Sequence, residues 1–105
     1  MTQLGQHPRH GLDELLTNGV RLSIIAALSG VERAEFGAIR DLVEISNPAL
    51  SKQAAALEAA GYVEVSKGRI GRRPRTWLQL TGAGRDALNR HLSALQHITT
   101  ATPRA

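Results

Sequence analysis

The chain has 105 residues, enough for one domain with a modest hydrophobic core. It has no cysteine, which excludes disulfides, thiolate catalysis and cysteine-ligated metal or iron–sulfur sites. The formal net charge is +4, and the cations concentrate in residues 67–75, which indicates an acidic partner at one place on the molecule. Residues 1–10 are polar and predict no signal peptide, and the longest apolar run, residues 24–28, is too short for a membrane span, so we expect a cytoplasmic, nucleoid-associated protein.

Residues 1–10 contain glycine, proline and two histidines without periodicity, which predicts a disordered N-terminal arm. His7 and His10 have three interpretations: metal ligands, incidental residues of a mobile arm, or part of a basic arm that touches DNA. The incidental interpretation is favoured, and no metal site is predicted.

Apolar residues recur at helical spacing over residues 12–28, with an interruption at Thr17-Asn18-Gly19. Either the helix breaks there and Asn18 caps a new one, or the helix continues with a kink. Arg21 lies on this helix, and we interpret it as a packing or solvated residue in preference to a DNA contact.

The next helix is predicted over residues 35–43, and a short third strand is expected near residues 31–34. Four apolar residues of this helix are expected to face the core: Phe36, Ile39, Leu42 and Val43.

The helix around which the chain is organised is predicted over residues 47–60. Ser46 is suited to cap it, because a serine hydroxyl accepts hydrogen bonds from N–H groups of the first turn. Leu50, Ala54 and Leu57 form one narrow apolar face, and Gly61 is suited to the left-handed conformation that ends a helix. Small or polar residues cover the opposite face: Ala49, Ser51, Lys52, Ala55 and Ala59, with Asn47 and Gln53 at its margins.

A β-hairpin is predicted next, over residues 62–80, because residues 62–65 and 76–80 alternate in polarity. The loop between them, residues 67–75, contains glycines and no acidic residue. Its cations are Lys67, Arg69, Arg72, Arg73 and Arg75.

Thr81 is suited to cap a last helix over residues 82–98, after which residues 99–105 are expected to fray. Leu88, Leu92 and Leu95 form an apolar seam on this helix. The seam has two interpretations, packing on the first helix of the same chain or packing across a two-fold axis, and both are expected to hold in part.

A capped helix followed by a hairpin with a basic tip is the layout of a winged helix-turn-helix. The segments SNPALSKQAAALEAAGYVEV, GRIGRRPRTWLQLT and GRDAL resemble winged-helix transcriptional regulators of the MarR/ArsR-like group, and the resemblance extends over roughly residues 12–98. One departure lies at residues 42–46, which lack the glycine often found in this turn.

The predicted fold class is therefore α+β, mostly α: a winged helix-turn-helix with a two-stranded wing and N- and C-terminal helices. The resemblance implies a sequence-specific regulator that binds double-stranded DNA at a palindromic operator as a homodimeric repressor. The alternatives are an architectural DNA-binding protein with little sequence preference, and a winged helix used as a protein-interaction or RNA module. No enzyme activity, cofactor or membrane partner is predicted. The sequence identifies no inducer, and a small ligand would have to bind at the dimer interface or between the first and last helices.

Three sets of residues carry these predictions. The predicted base contacts are Asn47, Ser51, Lys52 and Gln53, whose side chains suit base edges in the major groove. The predicted contacts of the wing with the DNA backbone are Lys67, Arg69, Arg72, Arg73 and Arg75. The predicted dimer interface consists of Leu12, Leu15, Leu16, Leu88, Leu92 and Leu95.

Overall fold

The computed structural model describes residues 6–104. Two short 3₁₀ helices, Pro8–Gly11 and Glu14–Thr17, precede four α-helices and three strands in this part of the chain. The elements follow in the order α1 (Gly19–Ser29), β1 (Ala34–Glu35), α2 (Phe36–Val43), α3 (Asn47–Ala59), β2 (Val63–Ile70), β3 (Arg73–Leu80) and α4 (Gly82–Thr100).

The strands form one antiparallel sheet in the order β1-β3-β2. The hairpin register pairs Val63 with Leu80 at its base and Ile70 with Arg73 at its tip. Strand β1 adds two residues on the other side of β3, so the expected third strand is present at Ala34–Glu35, slightly later than predicted. The arrangement is the predicted winged helix-turn-helix, and β1 connects the turn before α2 to the wing.

The core lies where α1, α3, α4 and the base of the hairpin meet, and each of the four α-helices contributes aliphatic side chains to it. On α3 the apolar face predicted from spacing is buried. The core residues with no measurable exposure are Leu16, Ile24, Ile25, Leu28, Leu50, Leu57, Leu78 and Ala87.

The N-terminal segment is more ordered than the sequence predicted. Residues 1–5 of the predicted arm lie outside the described residues, but Pro8–Gly11 form a 3₁₀ helix. It lies against α4, where a Cβ on Gly11 would be 3.2 Å from Ala94 Cβ. The interruption at residues 17–19 is a break and not a kink, because Asn18 Oδ1 accepts a hydrogen bond from the Arg21 N–H at 3.0 Å and caps α1.

Three side chains tie this N-terminal segment to the hairpin and to α4. The Tyr62 hydroxyl donates to Asp13 Oδ2 at 2.5 Å, and the Asp13 N–H donates to Nδ1 of buried His91 at 3.0 Å. The hydrogen bond to Asp13 raises the pKa of Tyr62, and partial burial adds to the rise. Acceptance by His91 Nδ1 requires that this nitrogen carry no proton.

Helix α2 differs from its prediction at one residue. Phe36, Ile39 and Val43 face inward, but the side chain of Leu42 is 67% exposed. At 100° per residue Leu42 lies about 90° from the mean direction of the other three, at the edge of the apolar stripe. The turn after α2 is completed by Glu44, which takes the left-handed conformation with φ 61° where the resembling family often has glycine.

The capping predictions for the last two helices hold. Ser46 Oγ accepts from the Ala49 N–H at 3.2 Å at the start of α3, which ends at Ala59, one residue earlier than predicted. Gly61 follows with φ 81°. Thr81 Oγ1 accepts from the Gly84 N–H at 2.9 Å at the start of α4, which extends two residues beyond the predicted end at residue 98.

Candidate nucleic-acid interface

The N-terminal half of α3 presents its polar residues outward. Asn47, Ser51 and Lys52 are exposed, as is Ala55 one turn further on. The opposite face of α3 is fixed in the core by Leu50 and its buried neighbours. The helix therefore cannot rotate, and the same few side chains always face outward.

Gln53, the fourth predicted base contact, has a different environment. It is half-buried, and its Oε1 accepts a hydrogen bond from Arg21 Nη1 at 2.9 Å. Arg21 Nε also donates to the Leu15 carbonyl oxygen at 2.6 Å. Arg21 therefore joins α3 to the N-terminal segment, in agreement with its interpretation as a packing residue, and Gln53 acts in this chain as the acceptor of that link.

Asn47 is exposed but has a partner that the sequence analysis missed. Arg40 Nη1 donates to Asn47 Oδ1 at 2.9 Å, and Arg40 Nε donates to Asp41 Oδ1 at 2.9 Å. The hydrogen bond between Arg40 and Asp41 lowers the pKa of the Asp41 carboxyl and raises the pKa of the Arg40 guanidinium. The guanidinium of Arg40 lies beside the first turn of α3. In the sequence Arg40 is followed by Asp41, and such a pair of opposite charges does not indicate a contact with α3.

A groove of about 450 Å³ separates α3 from the hairpin. Its floor is apolar, with Phe36, Ala54 and Leu78, and its rim includes Ser51 and Lys67. The acidic residue Glu58, near the C-terminal end of α3, also lines the groove. Its lining residues are Phe36, Asn47, Ser51, Ala54, Ala55, Glu58, Val65, Lys67, Thr76 and Leu78. A polyanion would therefore meet an acidic residue near the C-terminal end of α3, and polar or cationic residues near its N-terminal end.

The hairpin has nearly the predicted bounds, but its strands are longer and its loop is shorter than predicted. Most of the predicted loop, residues 67–75, belongs to the paired strands, and only Gly71 and Arg72 form the turn. Gly71 has φ 61° at the first turn position, where type II′ hairpin turns take glycine. Arg69 Nη1 donates across the tip to the Arg72 carbonyl oxygen at 3.4 Å.

The register divides the wing cations between two faces. Lys67 and Arg69 are an even number of residues from Val63 and Val65 along β2, so they lie on the same face as these valines. At the base of the hairpin this face is turned toward α3. Arg73 and Arg75 lie on the opposite face, and Arg72 is at the tip. All five were predicted as backbone contacts, and four are exposed.

Arg75, the fifth wing cation, is half-buried and engaged within the chain. Its Nε lies 3.5 Å from Glu35 Oε2 of β1. On the same outer face the Arg33 guanidinium lies 4.1 Å from the centroid of the Trp77 ring, a cation–π distance. Sequence analysis missed both contacts, because they depend on β1 lying beside β3.

The six leucines predicted at a dimer interface separate into three groups. Leu16 and Leu88 are buried in the core of this chain, so the prediction is wrong for these two residues. Leu12 and Leu15 are half-buried. Leu92 and Leu95 are 47% and 37% exposed on α4. The seam predicted on α4 therefore packs internally at its start and is exposed further along.

A second cavity, of about 730 Å³, lies between the first 3₁₀ helix and α4. It contains His7, His10 and His97 together with Arg90. Among residues 6–104 no three His, Cys, Asp or Glu side chains are arranged to hold a metal ion. His7 Nδ1 accepts from the Arg9 N–H at 3.1 Å, as the cap of its own turn. None of the helices described is long and apolar enough to cross a membrane.

Comparison with known proteins gives the class. Residues 20–99 match the family described as winged helix DNA-binding domain. A solved structure of a transcriptional regulator homologue from Pyrococcus horikoshii OT3 is 31% identical with a TM-score of 0.78, over 84% of this chain and 87% of that one. An uncharacterized protein of Methanocaldococcus jannaschii is 29% identical over 75% of this chain and 86% of its own length.

The transcriptional regulator PcaV from Streptomyces coelicolor, solved with its natural ligand, shares the fold at a TM-score of 0.70 and 16% identity. That alignment covers 88% of this chain and 64% of PcaV. The chain belongs to the winged helix DNA-binding domain family. This confirms the predicted class, a winged-helix DNA-binding protein of transcriptional-regulator type.

Proposed function

We propose that this chain is a sequence-specific regulator that binds double-stranded DNA and acts as a homodimeric repressor on a palindromic operator. The observation that supports it is the exposed polar start of α3 beside a hairpin with four exposed cations, of which Lys67 lines the groove next to α3. An α-helix fits the major groove, and its first turns approach the base edges. An arginine-rich tip beside it suits phosphates or a narrow minor groove.

Ser51 and Lys52 are the foremost candidates for base contacts. Both are exposed in the second turn of α3, and lysine can donate to guanine while serine can donate or accept. Asn47 adds an amide next to Arg40, so an arginine is close to the helix end that approaches DNA. Gln53 ranks last of the four, because its amide oxygen is engaged by Arg21. The small side chain of Ala55 permits close approach and apolar contact with thymine methyl groups.

The wing supplies the backbone contacts in this proposal. Lys67 and Arg69 are directed to the phosphates nearest α3, and Arg72 and Arg73 to the groove edge that the tip reaches. Arg75 contributes less than the others, because Glu35 already neutralises part of its charge. Glu58 confines the close approach of DNA to the N-terminal half of α3.

Dimerisation is proposed because one recognition helix reads too few base pairs to find a site among a genome's competitors. Leu92 and Leu95 of α4 offer an exposed apolar strip, and half-buried Leu12 and Leu15 extend the set of available leucines. An isologous pairing of this surface would set two α3 helices about one helical turn apart, roughly 34–36 Å, on a palindrome. Repression follows from occupancy, because a bound dimer blocks access to the operator.

Selection of bound sequences from a random duplex pool tests the function. We expect a palindromic consensus, and competition with random DNA should give a specificity ratio of about 10³ or more. A ratio near one at unchanged affinity would instead identify an architectural DNA-binding protein. Failure to bind any duplex at low salt would favour a protein-interaction or RNA module. A reporter gene under the selected operator then tests repression, which predicts lower expression when the protein is present.

Leu92→Glu tests the interface. We expect a monomer that keeps non-specific affinity from the wing but loses cooperative binding to the full palindrome. Leu42→Glu is the matched control, because it places the same charge on an exposed leucine of α2, away from α4. Analytical ultracentrifugation of all three proteins decides the question. A wild-type chain that sediments as a monomer, at a concentration where it binds the palindrome cooperatively, would contradict the interface.

A further inference from the structure

An isoleucine stands at the tip of the wing among arginines. Ile70 is the last residue of β2 and is 52% exposed. Arg69 precedes it and Arg73 is its cross-strand partner, while Arg72 lies in the turn. A solubilising loop gains nothing from a large apolar side chain at this place. The tip is therefore cationic at its edges and apolar at one point.

The hairpin register explains why the core leaves Ile70 uncovered. Val63 and Val65 of the same strand point toward the core, and alternation along the strand places Ile70 on the opposite face. The residues beside it in the strands, from Ser66 through Pro74, are exposed. A β-branched residue favours a strand, but threonine would satisfy that preference equally well at an exposed site. Strand formation alone thus does not account for the ethyl group of Ile70.

We propose that Ile70 enters the minor groove as an apolar wedge and partly unstacks one base step beside the site read by α3. This inference rests on the proposed DNA-binding function. The arginines around the tip would neutralise the phosphates on both edges of the groove, which brings the apolar side chain to the base edges. Apolar side chains placed between base steps unstack them and bend the duplex. The wing then selects deformable steps, and so contributes sequence preference without hydrogen bonds to bases.

The test separates deformability from hydrogen-bond readout. A TA step and an AA step present the same minor-groove acceptors, but the TA step is the more easily unstacked. Each step is moved one position at a time through the flank of a selected site. Affinity is compared on unmodified duplexes, and unstacking is followed on parallel duplexes in which 2-aminopurine replaces the adenine immediately beside the step. Affinity and fluorescence are measured for the wild type, Ile70→Thr and Val31→Thr. Val31 is the matched control, since it is a β-branched residue outside the wing that is 48% exposed.

At one position in the flank we expect the wild type and Val31→Thr to prefer the TA step by about 5- to 30-fold, with a rise in 2-aminopurine fluorescence on binding. Ile70→Thr should reduce this preference to near one and abolish the rise, while it keeps its affinity for the AA duplex. An unchanged preference and fluorescence in Ile70→Thr would overturn the inference while leaving DNA binding intact. Absence of duplex binding by the wild type would overturn the proposed function itself, and this inference with it.

Discussion

Among the glycines of residues 6–104, Gly84 is the one where an added methyl group should cost the most stability. It lies in the first turn of α4 and is buried against the start of the hairpin. A Cβ at Gly84 would collide with the Tyr62 carbonyl oxygen, and would lie 2.6 Å from Leu80 Cδ1 and 3.0 Å from the Tyr62 carbonyl carbon. The helix cannot move away easily, because the Thr81 N–H donates to that carbonyl oxygen at 3.0 Å and the Thr81 hydroxyl donates to the Gly61 carbonyl oxygen at 2.6 Å.

The expected magnitude follows from these distances. Overpacking typically costs about 1–3 kcal/mol, and a backbone obstacle puts Gly84→Ala at the upper end. Alanine regains at most about 1 kcal/mol of helix propensity, so we expect a net loss of about 2 kcal/mol. For a domain of this size the melting temperature should fall by roughly 8–16 °C.

Gly82→Ala is the control for this substitution. It adds the same methyl group two residues earlier in the same helix, where no heavy atom lies within 4 Å of the new Cβ. We expect it to be neutral or stabilising by up to about 1 kcal/mol. Urea and thermal unfolding, followed by circular dichroism at one protein concentration, measure both variants. Equal stability of the two alanine variants would refute the argument.

Three further predictions concern charge, pH and backbone conformation. Arg73→Ala should reduce the slope of log affinity against log salt concentration by about 0.9. Arg75→Ala should reduce this slope by clearly less, because Glu35 already lies beside Arg75. Equal slopes for the two variants would contradict this prediction. The raised pKa of Tyr62 means that the unfolded chain releases the phenol proton first, near pH 10.0, so the stabilising bond to Asp13 is fully present below that pH and is lost above it. The stability difference between wild type and Tyr62→Phe in urea unfolding should therefore stay constant up to about pH 9 and shrink as the pH rises above about 10, and a difference that stays constant above about pH 10 would oppose the assignment. Glu44→Gly should stabilise the chain by about 0.5 kcal/mol, because relief of the left-handed conformation slightly exceeds the entropy that glycine adds to the unfolded state; lower stability than wild type would argue against it.

The winged helix was predictable because its signals are local. Ser46, Thr81 and Gly61 mark helix ends through hydrogen bonds and conformations within a few residues, and each acts in the structure as predicted. The break before α1 also has a local signal, since the Asn18 side chain caps the helix by accepting from the N–H of Arg21, three residues later. The alternation of polar and apolar residues predicted both strands of the hairpin but made them too short. Toward the tip both faces of the strands are exposed, so the paired residues there show no alternation in polarity.

What the sequence could not predict depends on which elements become neighbours. Helical spacing groups Leu88 with Leu92, yet only the position of α4 on the core determines that Leu88 is buried and Leu92 is not. The engagement of Gln53 by Arg21 joins residues 32 positions apart. Arg75 looked equivalent to its neighbours in a charge run, but the pairing of β1 with β3 brings Glu35 to it. Local patterns thus identify the surfaces, and tertiary contacts determine which side chains on them are available.

The division of the wing into a fixed base and a projecting tip affects how this protein can change. From Ser66 to Pro74 the hairpin is exposed and is held by its own ladder, whereas Val63, Leu78 and Leu80 are buried. Substitution or lengthening of the tip should therefore be nearly neutral for folding. Helix α3 lacks this freedom, because Leu50, Ala54 and Leu57 belong to the core. If the tip contacts DNA as proposed, new binding preferences would arise there by gradual exchange of residues, while the rest of the domain stays intact.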